Sequence, residues 1–311
     1  MNFFTKYKPF YKENLRLAFP VILSQIGQIA VQLADTAMVG HYGGDDPTPL
    51  AAVSFATSFF YIIFISAMGL SFGLTPLVGE HYAKNHRTHV TELLQNGALL
   101  FALIGIVATI LLLASRGLLT FMGGLMIEQG GDASIGAVIA TALPYYNTLI
   151  WSLFPIMIWC TAKQFLEGIG NTRLAMYTII TSNALNIFLN WVFIFGHLGA
   201  PRMEIGGAAL GTLIARVFEL CFICGYFFFL DKRIGYRLRS LFMRCRDLLR
   251  EYIRVSIPVL ISDALLALGN NAVSMVMGQI GEAFVAANSV TTVVQQLSSV
   301  LTQGISNASG I

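Results

Sequence analysis

The sequence predicts an all-α polytopic membrane protein made of parallel six-helix repeats, the first complete and the second partial. Three observations carry that prediction. The 311-residue chain is 56% hydrophobic and only 11% charged, with a mean hydropathy of +0.70. Apolar stretches of membrane-crossing length recur along it. Its opening segment returns late in the chain.

A soluble globular chain carries about 25% charged residues. Half of that leaves too little polar surface to coat a particle in water, so lipid is the expected solvent. A helix needs about 20 apolar residues to cross the hydrocarbon core. Eight such stretches stand at 17–40, 50–77, 93–115, 137–162, 174–196, 205–230, 253–278 and 284–311. They are called spans 1 to 8 below. The short alternating segments of a membrane barrel do not occur. Span 1 follows Lys6, Lys8, Lys12 and Arg16 and runs into Asp35 without a small-residue cleavage site, so it is expected to remain as a helix.

Basic residues gather in cytoplasmic loops. Sixteen of the nineteen Lys and Arg fall on one side if the spans alternate. They lie before span 1, after span 2 (Lys84, Arg87), after span 4 (Lys163, Arg173) and in the segment from Lys232 to Arg254. The other side holds Arg116 and Arg202 together with Asp45, Asp46, Glu128, Asp132, Glu204 and Glu282, while Arg216 lies inside span 6. This pattern places the N-terminus in the cytoplasm. The basic 231–254 segment beside spans reads as a topology signal and a lipid-headgroup contact, with no nucleic-acid partner. The expected location is the bacterial plasma (inner) membrane.

Cys160, Cys221, Cys224 and Cys245 fall on the cytoplasmic side of this arrangement and are expected to be reduced. The five histidines read as loop residues, and His86-x-x-His89 lacks an acid or Cys to complete a metal set. No HExxH, P-loop, nucleophile elbow or dinucleotide fingerprint is present, which disfavours an enzyme.

Phe19-Pro-Val-Ile-Leu-Ser24 returns as Ile257-Pro-Val-Leu-Ile-Ser262, and Met38-Val-Gly40 as Val276-Met-Gly278. Six spans separate the copies, so both start on the same side, as in parallel transporter repeats. The expected organisation is a six-helix lobe over 1–230, a cytoplasmic inter-lobe linker over 231–252 and a partial second lobe over 253–311. Extending the repeat would require about four more helices.

Polar groups inside hydrocarbon are costly and often functional. Gln25, Gln28, Gln32 and Asp35 are spaced 3, 4 and 3 and share one face of span 1. Asn183, Asn186 and Asn190 share a face of span 5, and Asp263, Asn270 and Ser274 a face of span 7. Spans 1 and 5 run in the same direction, and Thr212 begins the returning span 6. Asp35, Asn186, Asn190 and Thr212 therefore stand at one depth, as a carboxylate, two amides and a hydroxyl suited to a proton or a hard cation. The alternative for the amides is interhelical hydrogen-bonding. The three Gln residues, Asn183, Asp263 and Asn270 are candidates for the substrate cavity. Arg216 and Glu219, three apart, are expected to pair.

These segments resemble the multidrug and toxic compound extrusion family. Ala34-Asp-Thr-Ala-Met-Val-Gly-His41 is similar to its first-helix signature, and Gly168-Ile-Gly-Asn-Thr-Arg173 to the loop before its fifth helix. Leu185-Asn-Ile-Phe-Leu-Asn190, Gly206-Gly-Ala-Ala-Leu-Gly-Thr212 and the Pro258–Asp263 stretch resemble its fifth, sixth and seventh helices. At Asn171 the family usually has Asp, and at Asp263 often Glu. The resemblance implies a twelve-helix, two-lobe exporter that exchanges H⁺ or Na⁺ for small organic, often cationic, compounds, with the first lobe's cation site on Asp35, Asn186 and Asn190. It implies no cofactor beyond the coupling ion, a possible Na⁺ as the sole metal, membrane lipids as surroundings and no obligate protein partner. The alternatives are a lipid-linked oligosaccharide flippase of the same superfamily, which would favour a strongly basic cavity, and a non-transporting fragment.

Overall fold

The structure, a computed structural model, describes residues 3–128 apart from 45 and 47, residues 133–231, residues 249–262 and isolated positions from 265 to 305. Among the described residues there is no strand. Span 1 is α1 (Phe3–Gly43), and span 2 is divided into α2 (Thr48–Phe72) and α3 (Leu74–Ala83). Span 3 is α4 (Arg87–Glu128), and span 4 is divided into α5 (Ala133–Ile150) and α6 (Leu153–Gly168). Span 5 is α7 (Thr172–Phe195), and span 6 is α8 (Glu204–Gly225) followed by a π turn at Tyr226–Leu230. Among the described residues, five helices are long and apolar enough to cross a membrane, one of them running from the end of α2 through α3, and α5 with α6, bent by 45°, makes a sixth if taken as one span.

The two divisions have one cause. Pro76 stands three residues after Gly73, and Pro155 three after Ser152. A proline there has no N–H to give the carbonyl one turn back, so the ladder opens. Ser152 turns its hydroxyl to the Leu149 carbonyl at 2.6 Å. At the other break the residue is glycine because there is no room for more. A Cβ on Gly73 would stand 2.1 Å from Ser256 Oγ and 3.1 Å from Ser256 Cα. The break in α2–α3 is therefore the seat of the helical stretch at 249–262. Tyr252, 1% exposed, donates its hydroxyl to the Leu70 carbonyl at 2.8 Å. That carbonyl lies in the last turn of α2, where the helix supplies no partner of its own.

Small residues bring α7 and α8 together. A Cβ on Gly207 would fall 2.7 Å from the Phe193 carbonyl carbon, and one on Gly211 would fall 2.1 Å from Asn190 Oδ1. This Gly-x-x-x-Gly spacing lets two backbones meet where lipid offers no hydrophobic drive. Gly196, at φ 76°, ends α7 in the left-handed conformation that glycine takes without strain. α1 packs along α7, and the end of α1 meets the α7–α8 connection, with Arg202 5.1 Å over the Tyr42 ring.

Several expectations are corrected. Lys163 is not in a loop: it is buried in α6, 3.7 Å from Glu167 and 5.8 Å from the Trp159 ring centre. His41, His81 and His89 lie in α1, α3 and α4 rather than in loops, because these helices outrun their apolar stretches. Residues 232–248, which hold most of the expected linker, lie outside the described residues.

Candidate functional site

The site grows from the α7 stripe. Asn186 and Asn190 are one turn apart and buried, 4% and 0% exposed. Gly211 on α8 leaves the space that the Asn190 side chain fills. Asn190 Nδ2 donates to Asp35 Oδ1 at 2.7 Å and to Asn186 Oδ1 at 3.3 Å. Asn186 Nδ2 lies 3.2 Å from Thr212 Oγ1. Turning the Asn186 amide over satisfies more groups. Its nitrogen then donates to Asp35 Oδ1 at 3.2 Å, and its oxygen accepts from the Thr212 hydroxyl at 3.2 Å and the Thr212 amide at 3.3 Å.

Three helices thus deliver Asp35, Asn186, Asn190 and Thr212 to one place. All four carry oxygen donors that a hard cation accepts. Asn190 Oδ1 is buried without a hydrogen-bond partner among the described residues. An acceptor left unsatisfied in a buried position costs free energy, which a cation or a proton on the adjoining carboxylate would relieve. Asp35 itself is half-buried, and the guanidinium of Arg216 is within electrostatic reach of it.

The other candidates divide. Gln32 is exposed and donates to Tyr61 Oη at 3.1 Å, which ties α1 to α2. Gln25 and Gln28 are half-buried on the same face of α1. Asn183 is 6% exposed, and its Nδ2 stands 3.3 Å from where a Gly27 Cβ would be. It lies in the α1–α7 seam one turn below the quartet, rather than at its mouth. Asp263 and Asn270 lie outside the described residues.

Two contacts were not foreseen in the sequence: the joining of His81 to the His86 and His89 pair, and a tie between α3 and α6. His81, His86 and His89 cluster at the α3–α4 turn, with ring centres 5.5 to 6.1 Å apart. Among the described residues, no group of His, Cys, Asp and Glu is arranged to hold a metal ion. Thr75 and Gln164 form the second: the Thr75 hydroxyl is 2.8 Å from Gln164 Oε1 and pins α3 to α6. Proline at 76 was the available signal for the first half of that contact.

The profile of the MatE family matches residues 20–192. A Geobacillus kaustophilus protein named probable multidrug resistance protein NorM is 25% identical over 285 residues, covering 89% of this chain and 59% of the relative. A protein of the same name from Photorhabdus laumondii is 32% identical over 228 residues, covering 73% of this chain and 47% of the relative. Among solved structures, a MOP superfamily transporter from Pyrococcus furiosus superposes with a TM-score of 0.80 at 24% identity, over 96% of this chain and 62% of that one. The chain thus spans about half to three-fifths of the length of these proteins.

Proposed function

Because the chain belongs to the MatE family, we propose that it carries the cation-coupling lobe of an antiporter that exports small organic, often cationic, compounds in exchange for H⁺ or Na⁺. It is an integral membrane protein, and its fold is that of the transporters it matches. The observation that supports the reading is the contact of Asn190 with Asp35 across 155 residues of sequence. A half-buried carboxylate inside a membrane span, facing neutral amides, is a poor adhesive between helices and a good seat for a cation.

The chemistry follows from linkage. A coupling cation and an organic cation that compete for one carboxylate bind with opposed preferences, and each expels the other. Asn186 and Asn190 orient the carboxylate and, by rotating their amides, present oxygen to a metal ion or N–H to the bare carboxylate. Thr212 holds the Asn186 amide in either orientation. The reading assigns the cytoplasm to the N-terminus and the bacterial inner membrane to the protein.

The test is Asp35→Asn in the protein expressed from its complete gene. The substitution keeps the shape and removes the charge. Export of a fluorescent organic cation should be lost, with amount and membrane insertion unchanged. Efflux at the unsubstituted rate would end the assignment.

A further inference from the structure

We propose that Arg216 and Glu219 are positioning residues that set how tightly the Asp35 site holds its coupling cation: the guanidinium supplies a fixed opposing charge, and Glu219 fixes its place. The inference rests on Asp35 being the cation site.

The pair lies on α8 just inside the quartet. Arg216 follows Thr212 by four residues, about 6 Å along the helix and on the same face. Its Nη1 donates to both carboxylate oxygens of Glu219, each at 2.8 Å. The burial is uneven: the Glu219 side chain is 0% exposed and that of Arg216 is 24% exposed. Glu219 is locked in the lobe interior, and the guanidinium stands on the open side of it. Both bonds leave from one terminal nitrogen, so the rest of the fork is directed elsewhere.

The charges around the pair can be assigned helix by helix. α1 contributes Asp35, α2 Tyr61 and α5 Tyr145. α6 contributes Cys160, with Lys163 and Glu167 beyond it already paired. α7 presents the neutral Asn186 and Asn190, and its Ser182 hydroxyl is donated to the Ala215 carbonyl at 3.0 Å. Among the described residues, Asp35, Arg216 and Glu219 are therefore the unpaired or directly facing formal charges nearest a cation at the quartet. Together they amount to one negative charge, which one monovalent cation neutralises. As glue alone such a pair is a poor choice, since its desolvation offsets its attraction. Its placement matters instead because Coulomb terms inside a protein remain strong over a helix diameter.

The signs are opposed. Glu219→Gln leaves the guanidinium uncompensated and free to approach Asp35, so the cation is held more weakly. Arg216→Gln removes the opposing charge, so the cation is held more tightly. Arg216→Gln with Glu219→Gln removes a neutral pair and returns the site near its starting affinity. Glu219→Asp keeps the pair and draws the guanidinium back by one methylene, so the cation is held slightly more tightly.

The experiment uses the protein from its complete gene, reconstituted in liposomes. It reads the sodium concentration for half-maximal dye export at fixed pH, and the proton concentration for half-maximal export without sodium. Whichever cation drives export should be required at about tenfold higher concentration in Glu219→Gln and about tenfold lower in Arg216→Gln, with the double variant within about threefold of the starting protein. Glu219→Asp, which preserves the buried pair, should lower the requirement about twofold, and it decides the matter if the single neutral variants are not recovered. Single variants that shift in the same direction, or an unchanged requirement in Glu219→Asp, would overturn the inference. If Asp35→Asn still exports, the site reading fails instead, whatever these variants do.

Discussion

At the scale of the residue, the site depends on an atom that is missing. Asn190 reaches Asp35 because Gly211 has no side chain, and a Cβ there would stand 2.1 Å from Asn190 Oδ1. Gly211→Ala is therefore expected to displace the amide and cost about 1–3 kcal/mol, the usual range for overpacking a full seam. Cation-driven export should fall, whereas Gly206→Ala, with nothing within 4 Å of its Cβ, should be silent in the same efflux assay. Equal activity of the two variants would show that the Asn190 position is unimportant. Asn190→Ala should weaken export less than Asp35→Asn, because it removes one neutral oxygen and leaves the charge. The quartet was legible in the sequence, since the 3.6-residue period and alternating span direction brought Asp35, Asn186, Asn190 and Thr212 to one depth. The role of Gly211 was not, because a glycine in an apolar helix carries no sign of what packs on it. The position of Asn183 in the α1–α7 seam was hidden for the same reason: the period gives a face but not the closeness of the neighbour.

At the scale of the element, hydropathy located the spans but not their breaks. Spans 2 and 4 are continuous in apolar content, so no composition argument divides them, and the division follows from backbone donors that Pro76 and Pro155 lack. Helix ends were also underestimated, because the apolar count measures the part in hydrocarbon while hydrogen-bonding carries the helix beyond it. α1 and α4, with 41 and 42 residues, far exceed what a bilayer needs. The α2–α3 break is a joint, holding the 249–262 stretch through Tyr252 and the Gly73–Ser256 approach. Gly73→Ala is expected to lower the melting temperature of the purified protein by several degrees. Ser256→Ala in the same chain should restore most of the loss, because it removes the atom at 2.1 Å, one that is buried without a hydrogen bond among the described residues. A Gly73→Ala protein as stable as its parent would mean that the two segments do not meet at this glycine.

At the scale of the whole molecule, charge and contact bear independently on orientation. The contacts sort the connections into two ends without reference to charge. Arg202 over Tyr42 places the α1–α2 and α7–α8 connections together. At the opposite end of these helices, Asn171 before α7 stands 3.4 Å from Tyr226 Oη after α8. Lys84, Arg87 and Arg173 belong with that second end, and Arg202 with the first. Lys163 leaves the count, since it is paired inside α6, but the bias is unaltered. Loops that carry Lys and Arg stay on the cytoplasmic side because moving them across the membrane is opposed. The α3–α4 turn should therefore face the cytoplasm and the α7–α8 connection the outside. In a background without the native cysteines, Pro201→Cys should react in intact cells with a thiol reagent that cannot cross the membrane, because Pro201 is exposed in that connection. Lys84→Cys, equally exposed at the end of α3, should react only after the cells are opened. Labelling of Lys84→Cys from outside would invert the molecule.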